Sequence, residues 1–147
     1  PNHRLLCAAP AYIAAHGAPE TIADLARHAL LATAGQDPWR LESRDGPVTV
    51  HIDGRLRTNS NEVVRAAVLS GLGIALRSTW DVGPELRSGQ LVHVLPGYRA
   101  SRRVAVHAVY PSRRYLAAKV RLFIDHLAAL YGEHPAWDEG LEAMIGG

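Results

Sequence analysis

Short apolar runs alternate with helix-like segments along the 147 residues of this chain, and this alternation constrains the fold more than any single motif. The predicted order is strand, helix, helix, strand, hairpin, helix, strand, short helix, strand, strand and long helix. Strands interleaved with helices are typical of layered α/β domains, because each apolar strand face must be covered by a neighbouring element. The sequence therefore predicts an α/β domain with a mixed sheet and flanking helices.

Periodicity places these elements along the chain. Apolar or alternating runs predict strands, and apolar residues repeating every three to four positions predict helices. Strands are predicted at residues 4–9, 29–33, 39–41, 47–52, 74–76, 91–95 and 104–109. Helices are predicted at residues 10–16, 21–28, 59–70 and 112–131, with a single turn at 78–82 that is broken at Gly83 and Pro84.

Two local signals refine this prediction. The pair Asp53-Gly54 predicts a hairpin between residues 47–52 and 55–58, because both residues tolerate positive φ. Thr21 followed by Asp24 resembles a capping box, in which each residue satisfies a free backbone N–H group of the other.

The first turn of the helix predicted at residues 59–70 is polar, although the rest of that helix is apolar. Asn59 is predicted as its N-cap, with Glu62 returning the bond. A helix N-terminus presents free N–H groups and a positive dipole end, which suits a small anion such as a carboxylate. Ordinary capping is the alternative interpretation, because capping requires only one or two of the polar residues 58–62.

Charge and cysteine content limit the classes of protein to which this chain can belong. The formal net charge is only +2, and the densest positive spots, Arg102-Arg103 and Arg113-Arg114, are typical of a solvated surface. The single cysteine, Cys7, lies in an apolar run and predicts a buried structural thiol. No signal peptide or membrane-length apolar run is found, so we expect a cytoplasmic protein without a membrane partner. A first residue other than Met indicates a piece of a longer chain.

The motifs give little support to catalysis, metals or cofactors. None of the eight histidines are three or four residues apart on a predicted helix, and there is no second cysteine, so no metal site is expected. Gly71-Leu72-Gly73 lacks the third glycine of a dinucleotide loop and follows a helix, which predicts helix termination and tight packing instead. Nucleophile elbows and phosphate loops are missing, and the carboxylates of Asp37 and Asp53 have turn roles. We expect neither an enzyme nor a cofactor.

Four stretches, in this order and spacing, resemble the effector-binding domain of LysR-type transcriptional regulators. They are a strand, proline and tyrosine-bearing helix at residues 5–17, the polar helix start through Gly-Leu-Gly at 55–76, the segment 86–96 and the segment 110–127. The branch of CrgA-like regulators is the most similar, through Asp37-Pro38-Trp39 and Pro135-Ala136-Trp137-Asp138.

The resemblance implies a type 2 periplasmic-binding-protein-like fold, with a small effector bound in a cleft between two α/β subdomains. Residues 1–110 would form the second regulatory subdomain, with crossing strands at 4–9 and 104–109. Residues 111–132 would be the C-terminal helix of the first subdomain, and residues 133–147 a tail. DNA would be bound only by a winged helix-turn-helix that precedes this chain, and the regulator would be a homo-oligomer.

The resemblance also implies a binding site for the effector, for which a small carboxylate is favoured. The residues expected to bind it are Thr33, Gly35, Asn59, Ser60, Asn61 and Glu62. One departure from the family is Arg77-Ser78, where the usual residues are Leu-Pro. This departure is expected to bring a positive charge toward the cleft. A solute-binding module, or an oligomerisation module on the same fold that binds no regulatory ligand, is the alternative function.

Overall fold

The computed structural model describes residues 2–54, 56, 58–100, 107, 109, 117–132 and 135–146. The strands in this part of the chain are β1 (Arg4–Ala8), β2 (Leu30–Leu31), β3 (Trp39–Ser43), β4 (Gly46–Val50), β5 (Ile74–Ser78), β6 (Val92–His93) and β7 (Arg99–Ala100). The helices are α1 (Pro10–His16), α2 (Asn61–Leu69), α3 (Thr79–Ser88), α4 (Ala118–Leu130) and α5 (Glu142–Ile145). Short 3-10 helices lie at Ile22–Arg27, Ala34–Gln36 and Ala136–Asp138.

The main sheet is mixed, as the sequence predicts. Its strand order is β2-β5-β1-β6, and β2 runs parallel to β5 while β1 is antiparallel to both of its neighbours. The register of β1 and β5 places Arg4 opposite Ser78 and Leu6 opposite Leu76. A second, antiparallel sheet has the order β4-β3-β7. The α/β prediction is therefore confirmed.

Strand β1 divides the interior into two apolar cores, because successive side chains point to opposite faces of a sheet. Leu6 and Ala8 pack into a core that also contains Trp39, whereas Leu5 and Cys7 pack into a core that contains α2 and α3 side chains. These four side chains of β1 are all buried. A fully apolar run is what a strand covered on both faces requires.

The hairpin prediction at Asp53-Gly54 is wrong. Strand β4 pairs with the preceding β3, and their connection has two residues, because Ser43 is opposite Gly46. Residues 51–54, 56 and 58 are not in a strand. Gly54 has a different role, since a Cβ atom there would lie 2.7 Å from the carbonyl oxygen of Leu30.

Helix α3 is longer than the predicted single turn. Val82 has non-helical φ and ψ values, which bend the helix, but helical residues resume after it and continue to Ser88. Pro84 therefore occupies the first turn after the bend, where its missing N–H group is tolerated. Gly83 is at the same bend and does not end the helix.

The remaining predicted helices are found at their expected positions within the described residues, although one of them is a 3-10 helix. Helix α1 has Pro10 at its start and Gly17, with φ of 80°, just after its end. The segment predicted as a helix at 21–28 is a 3-10 helix, and its Asp24 carboxylate accepts a hydrogen bond from the Thr21 N–H group at 2.8 Å. Helix α4 confirms the described part of the helix predicted at 112–131. The strand predicted at 104–109 lies mostly outside the described residues.

The C-terminal segment, residues 135–146, packs against the body of the domain. Leu141 is buried in the same core as α2 and α3. The Arg87 guanidinium of α3 donates hydrogen bonds to the carbonyl oxygens of Trp137 at 3.1 Å and Glu139 at 2.9 Å. Arg99 donates to the carbonyl oxygen of Ile145 at 2.9 Å. This segment therefore joins α3 to the end of the second sheet.

Gly73 confirms that the Gly-Leu-Gly run serves tight packing. A Cβ atom at Gly73 would lie 2.3 Å from the carbonyl oxygen of Ala29, which precedes β2. The same oxygen accepts a hydrogen bond from the N–H group of Ile74 at 2.8 Å. Gly71, with φ of 74°, lies directly after α2 and its C-cap Ser70. Among the described residues, no helix has the combined length and apolarity needed to cross a membrane.

Candidate functional site

Helix α2 begins at Asn61, and its N-cap lies one residue later than the predicted one. Ser60 is its N-cap, and the Ser60 hydroxyl accepts a hydrogen bond from the Val63 N–H group at 3.4 Å. The prediction of Asn59 as the cap is therefore wrong. Asn59 and Glu62 are exposed, and no hydrogen bond joins them in the described structure. Both Asn and Ser are good caps, so the sequence alone does not discriminate between adjacent candidates.

The loop after β2 lies beside this helix start, as expected from the resemblance. The N–H group of Ala34 donates a hydrogen bond to the carbonyl oxygen of Thr58 at 3.0 Å, which ties the loop to the segment before α2. Thr33 is buried, with 8% of its surface exposed. Gly35 is exposed and has open space around it. The structure thus brings the two predicted segments together.

A cavity of about 210 Å³ opens beside the first turn of α2. Of the predicted site residues, only Asn61 lines it, and Gln36 from the neighbouring loop lines it as well. Thr33, Gly35, Asn59, Ser60 and Glu62 lie outside its lining. The other side chains that matter for its chemistry come from β1, β5 and α3, namely Arg4, Arg77, Trp80 and Asp81.

Arg77 holds the side chain of Asn61 in place. Only 4% of the Arg77 surface is exposed, and both Nε, at 2.8 Å, and Nη2 donate to one carboxylate oxygen of Asp81. Its Nη1 atom donates to Oδ1 of Asn61 at 3.2 Å. Such charge-assisted bonds are stronger than neutral ones. The expected positive charge next to the helix start is therefore present, although Asp81 compensates it.

A second arginine extends this network on the side away from the cavity. Arg65 of α2 forms an ion pair with Glu85 of α3, and its Nε atom lies 3.8 Å from the second oxygen of Asp81. The four side chains, Arg65, Arg77, Asp81 and Glu85, carry two positive and two negative charges. The network is therefore electrically neutral as a unit, and it links α2, β5 and α3.

Arg4 was missed by sequence reasoning, because a single arginine before an apolar run has no signal of its own. Its Nη2 atom is buried and has no hydrogen-bond partner in the described part of the chain. Burial and the nearby charge of Arg77 lower the pKa of Arg4 below its usual value. Sequence reasoning also missed Asp81, whose partner Arg77 is on a strand rather than on the same helix.

Metal ligation and thiol chemistry find no support in the described residues. No group of three His, Cys, Asp or Glu side chains among them is arranged to hold a metal ion. Cys7 is buried, its thiol contacts the Ala75 carbonyl oxygen at 3.6 Å, and burial raises its pKa to about 12. The thiol therefore stays protonated and packs as an apolar group, as predicted.

The chain is similar to known transcriptional regulators over most of its length. The LysR substrate binding domain family matches residues 1–131. The HTH-type transcriptional regulator DmlR of Escherichia coli K12 is 42% identical over 137 residues, which are 90% of this chain and 44% of DmlR. The HTH-type transcriptional activator TtdR of the same strain is 39% identical over 148 residues, covering 97% of this chain and 47% of TtdR. The chain thus spans less than half the length of these relatives.

Solved structures show the same fold. The regulatory domain of AphB from Vibrio vulnificus matches with a TM-score of 0.72 and 32% identity, covering 87% of this chain and 64% of that domain. The CrgA regulatory domain from Neisseria meningitidis, a LysR-type regulator, matches with a TM-score of 0.68 and 25% identity, again over 87% and 64%. The sequence match and the shared architecture lead to the same conclusion: this chain belongs to the LysR substrate-binding domain family.

Proposed function

We propose that this chain is the effector-sensing part of a LysR-type transcriptional regulator. The observation that carries the proposal is the cavity beside the first turn of α2, which is lined by both Asn61 and Arg4. Hydrogen-bond donors at a helix N-terminus are suited to a small anion. The effector is accordingly a small carboxylate, recognised by Asn61 in this cavity. Thr33, Gly35, Asn59, Ser60 and Glu62, which lie outside the cavity lining, are proposed as further contacts from the adjoining segments.

Helix α4 supports the assignment of domains. None of its residues is buried, and four large apolar side chains, Val120, Leu122, Phe123 and Leu130, are 37–69% exposed. A soluble domain seldom exposes such a stripe unless another surface covers it. We assign residues 111–132 to the C-terminal helix of a first subdomain, residues 1–110 to the second subdomain and residues 133–147 to a tail.

The rest of the regulator follows from the family assignment. DNA would be bound by an N-terminal winged helix-turn-helix of the longer protein, which would function in the cytoplasm as a homo-oligomer. The domain itself would catalyse no reaction. Binding of the effector would favour one arrangement of the two subdomains, and it could shift their equilibrium only by the difference between its affinities for the two arrangements.

Ligand-induced stabilisation of the full-length regulator tests this proposal. A carboxylate at about 100 times its dissociation constant should stabilise the regulator by about 2.7 kcal/mol. The double variant Ser60→Ala, Asn61→Ala should lose most of that gain. Because Ser60 caps α2, the variant will also be less stable without ligand, so the quantity compared is the increase in Tm caused by each acid.

The control variant is Ser88→Ala, which changes an exposed serine at the end of α3. This variant should respond to acids like the wild type. An increase of Tm that is equal in the wild type and the double variant would place the effector elsewhere. No increase with any aliphatic or aromatic acid, together with an unchanged regulatory response in the double variant, would favour a ligand-free oligomerisation module.

A further inference from the structure

We propose that Arg4, rather than Arg77, is the group that recognises the charge of the ligand, in a subsite that accepts a single carboxylate. This inference rests on the proposed function and names the charged contact of the same site. Both arginines line the cavity, but their surroundings differ. Arg77 already donates to Asp81 and Asn61, whereas the guanidinium of Arg4 has no ion pair or hydrogen bond among the described residues.

The charge balance of the cavity indicates one negative charge on the ligand. Its lining contains the guanidinium groups of Arg4 and Arg77 and the carboxylate of Asp81. Asp81 is bound to Arg77, and the second pair, Arg65 and Glu85, is balanced. Among the described residues that line the cavity, Arg4 is therefore the charge without a counter-charge. Because Arg4 is partly buried and a desolvated charge is costly without a counter-charge, one carboxylate group in the cavity would remove this imbalance.

The amide of Asn61 adds a second donor of defined orientation. Since its Oδ1 atom accepts the hydrogen bond from Arg77, its Nδ2 protons remain available for an acceptor in the cavity. A carboxylate that binds Arg4 can accept from this amide as well, because each of its oxygens has more than one acceptor site. The neutral Arg77–Asp81 pair thus orients a donor, and Arg4 supplies the charge.

The shape of the cavity favours a small organic acid over an inorganic dianion. Its volume of about 210 Å³ is below the range of about 300–1,000 Å³ that holds drug-sized ligands. Leu76 and Trp80 also line it, and Trp80 is 57% exposed. An apolar wall suits the hydrocarbon part of an acid such as acetate or propionate. Phosphate, which carries more charge, would remain under-neutralised by a single free arginine.

The test uses this chain labelled with ¹⁵N. It is titrated with acetate or with propionate, and NMR spectra are recorded at each step of the titration. We expect the Nε–H resonance of Arg4 and the Nδ2 resonances of Asn61 to move and saturate at millimolar acid, while the Nε–H resonance of Arg77 moves far less. Arg4→Gln should weaken binding at least tenfold. Arg4→Lys should bind more weakly than the wild type and more tightly than Arg4→Gln, because it keeps the charge and loses the planar fork.

Matched probes and a matched variant make the test specific. Arg40→Gln, which removes an exposed arginine of β3 outside the cavity, should bind acetate like the wild type. Acetamide, the neutral analogue of acetate, should not bind. Phosphate should bind less tightly than acetate at equal ionic strength.

Several outcomes would overturn the inference. Two of them concern affinity, namely equal binding of acetate by the wild type and Arg4→Gln, and tighter binding of phosphate than of acetate. The other two concern the resonances, namely a larger shift for Arg77 than for Arg4, and no saturable shift with either acid at concentrations well above millimolar. The wild-type resonances report directly on Arg4, so the inference can fail even if a variant unfolds. The proposed function is tested separately in the full-length regulator, where an acid-induced increase of Tm that depends on Ser60 and Asn61 but not on Arg4 would keep effector sensing and discard this subsite.

Discussion

Gly73→Ala is expected to lower the free energy of unfolding by about 3 kcal/mol or more, because the new Cβ atom would overlap backbone rather than a movable side chain. The Cβ position lies 2.3 Å from the carbonyl oxygen of Ala29 and 3.0 Å from its carbonyl carbon. Relief of this overlap requires β2 to move away from β5. That movement would weaken the hydrogen bond from Ile74 to Ala29, now 2.8 Å long, and the parallel pairing of the two strands.

Urea unfolding of the wild type and the variant, followed by circular dichroism, measures this loss. The control is Gly97→Ala, because a Cβ atom at Gly97 meets nothing within 4 Å. This control should change the free energy of unfolding by less than about 0.5 kcal/mol, like most surface substitutions. A loss below about 1 kcal/mol in Gly73→Ala would contradict the prediction, because it would mean that β2 and β5 can separate enough to accept the new Cβ atom at little cost.

Asp81→Asn should be the second most damaging change, with a loss of about 3 kcal/mol in the free energy of unfolding. It removes the charge that faces Arg77, whose exposed fraction is only 4%. Breaking one partner of a buried ion pair costs about 3–5 kcal/mol because the other charge stays buried without compensation. A loss at the lower end of this range is expected here, because Arg77 keeps its hydrogen bond to Asn61 and the Asp81 side chain is 16% exposed.

A double variant distinguishes lost compensation from lost packing. Arg77→Met combined with Asp81→Leu removes both charges and keeps most of the volume, so it should be more stable than Asp81→Asn. Asp45→Asn, at an exposed turn carboxylate, should change the free energy of unfolding by less than about 0.5 kcal/mol. If the double variant were no more stable than Asp81→Asn, buried charge would not explain the effect. Chemical unfolding of all three variants at one pH supplies the comparison.

The sheet and most helices could be predicted because their signals are local and repeated. Residues 5–8 are apolar at consecutive positions, which is typical of a strand covered on both faces, and they form all of β1 after its first residue. The role of a single residue is harder to predict, because it depends on neighbours that are distant in the sequence. Gly54 was interpreted as a turn residue, yet glycine there serves the approach to Leu30, and that neighbour lies 24 residues earlier in the chain.

The site was predicted only in part, because its charged groups come from distant segments. Asn61 was identified from a polar helix start, which is a local pattern. Arg4 reaches the same cavity through the antiparallel pairing of β1 with β5, which sets Arg4 opposite Ser78. Asp81 is four residues after Arg77, but the two residues are in different elements, so helical spacing rules do not relate them. The register of β1 and β5 brings Arg4 next to the segment that carries Arg77 and Asp81.

The two cores on either side of β1 have a consequence for affinity. Leu5 and Leu6 are held on opposite faces of the sheet, so β1 cannot slip by one residue without exchanging its two sets of side chains between the two cores. Arg4 is the first residue of this strand and its backbone is fixed by the same constraint. The backbone that carries the guanidinium therefore loses its conformational entropy on folding and not on ligand binding. A binding group that is carried on such a fixed backbone position allows a ligand with few atoms to bind with more of its interaction energy retained.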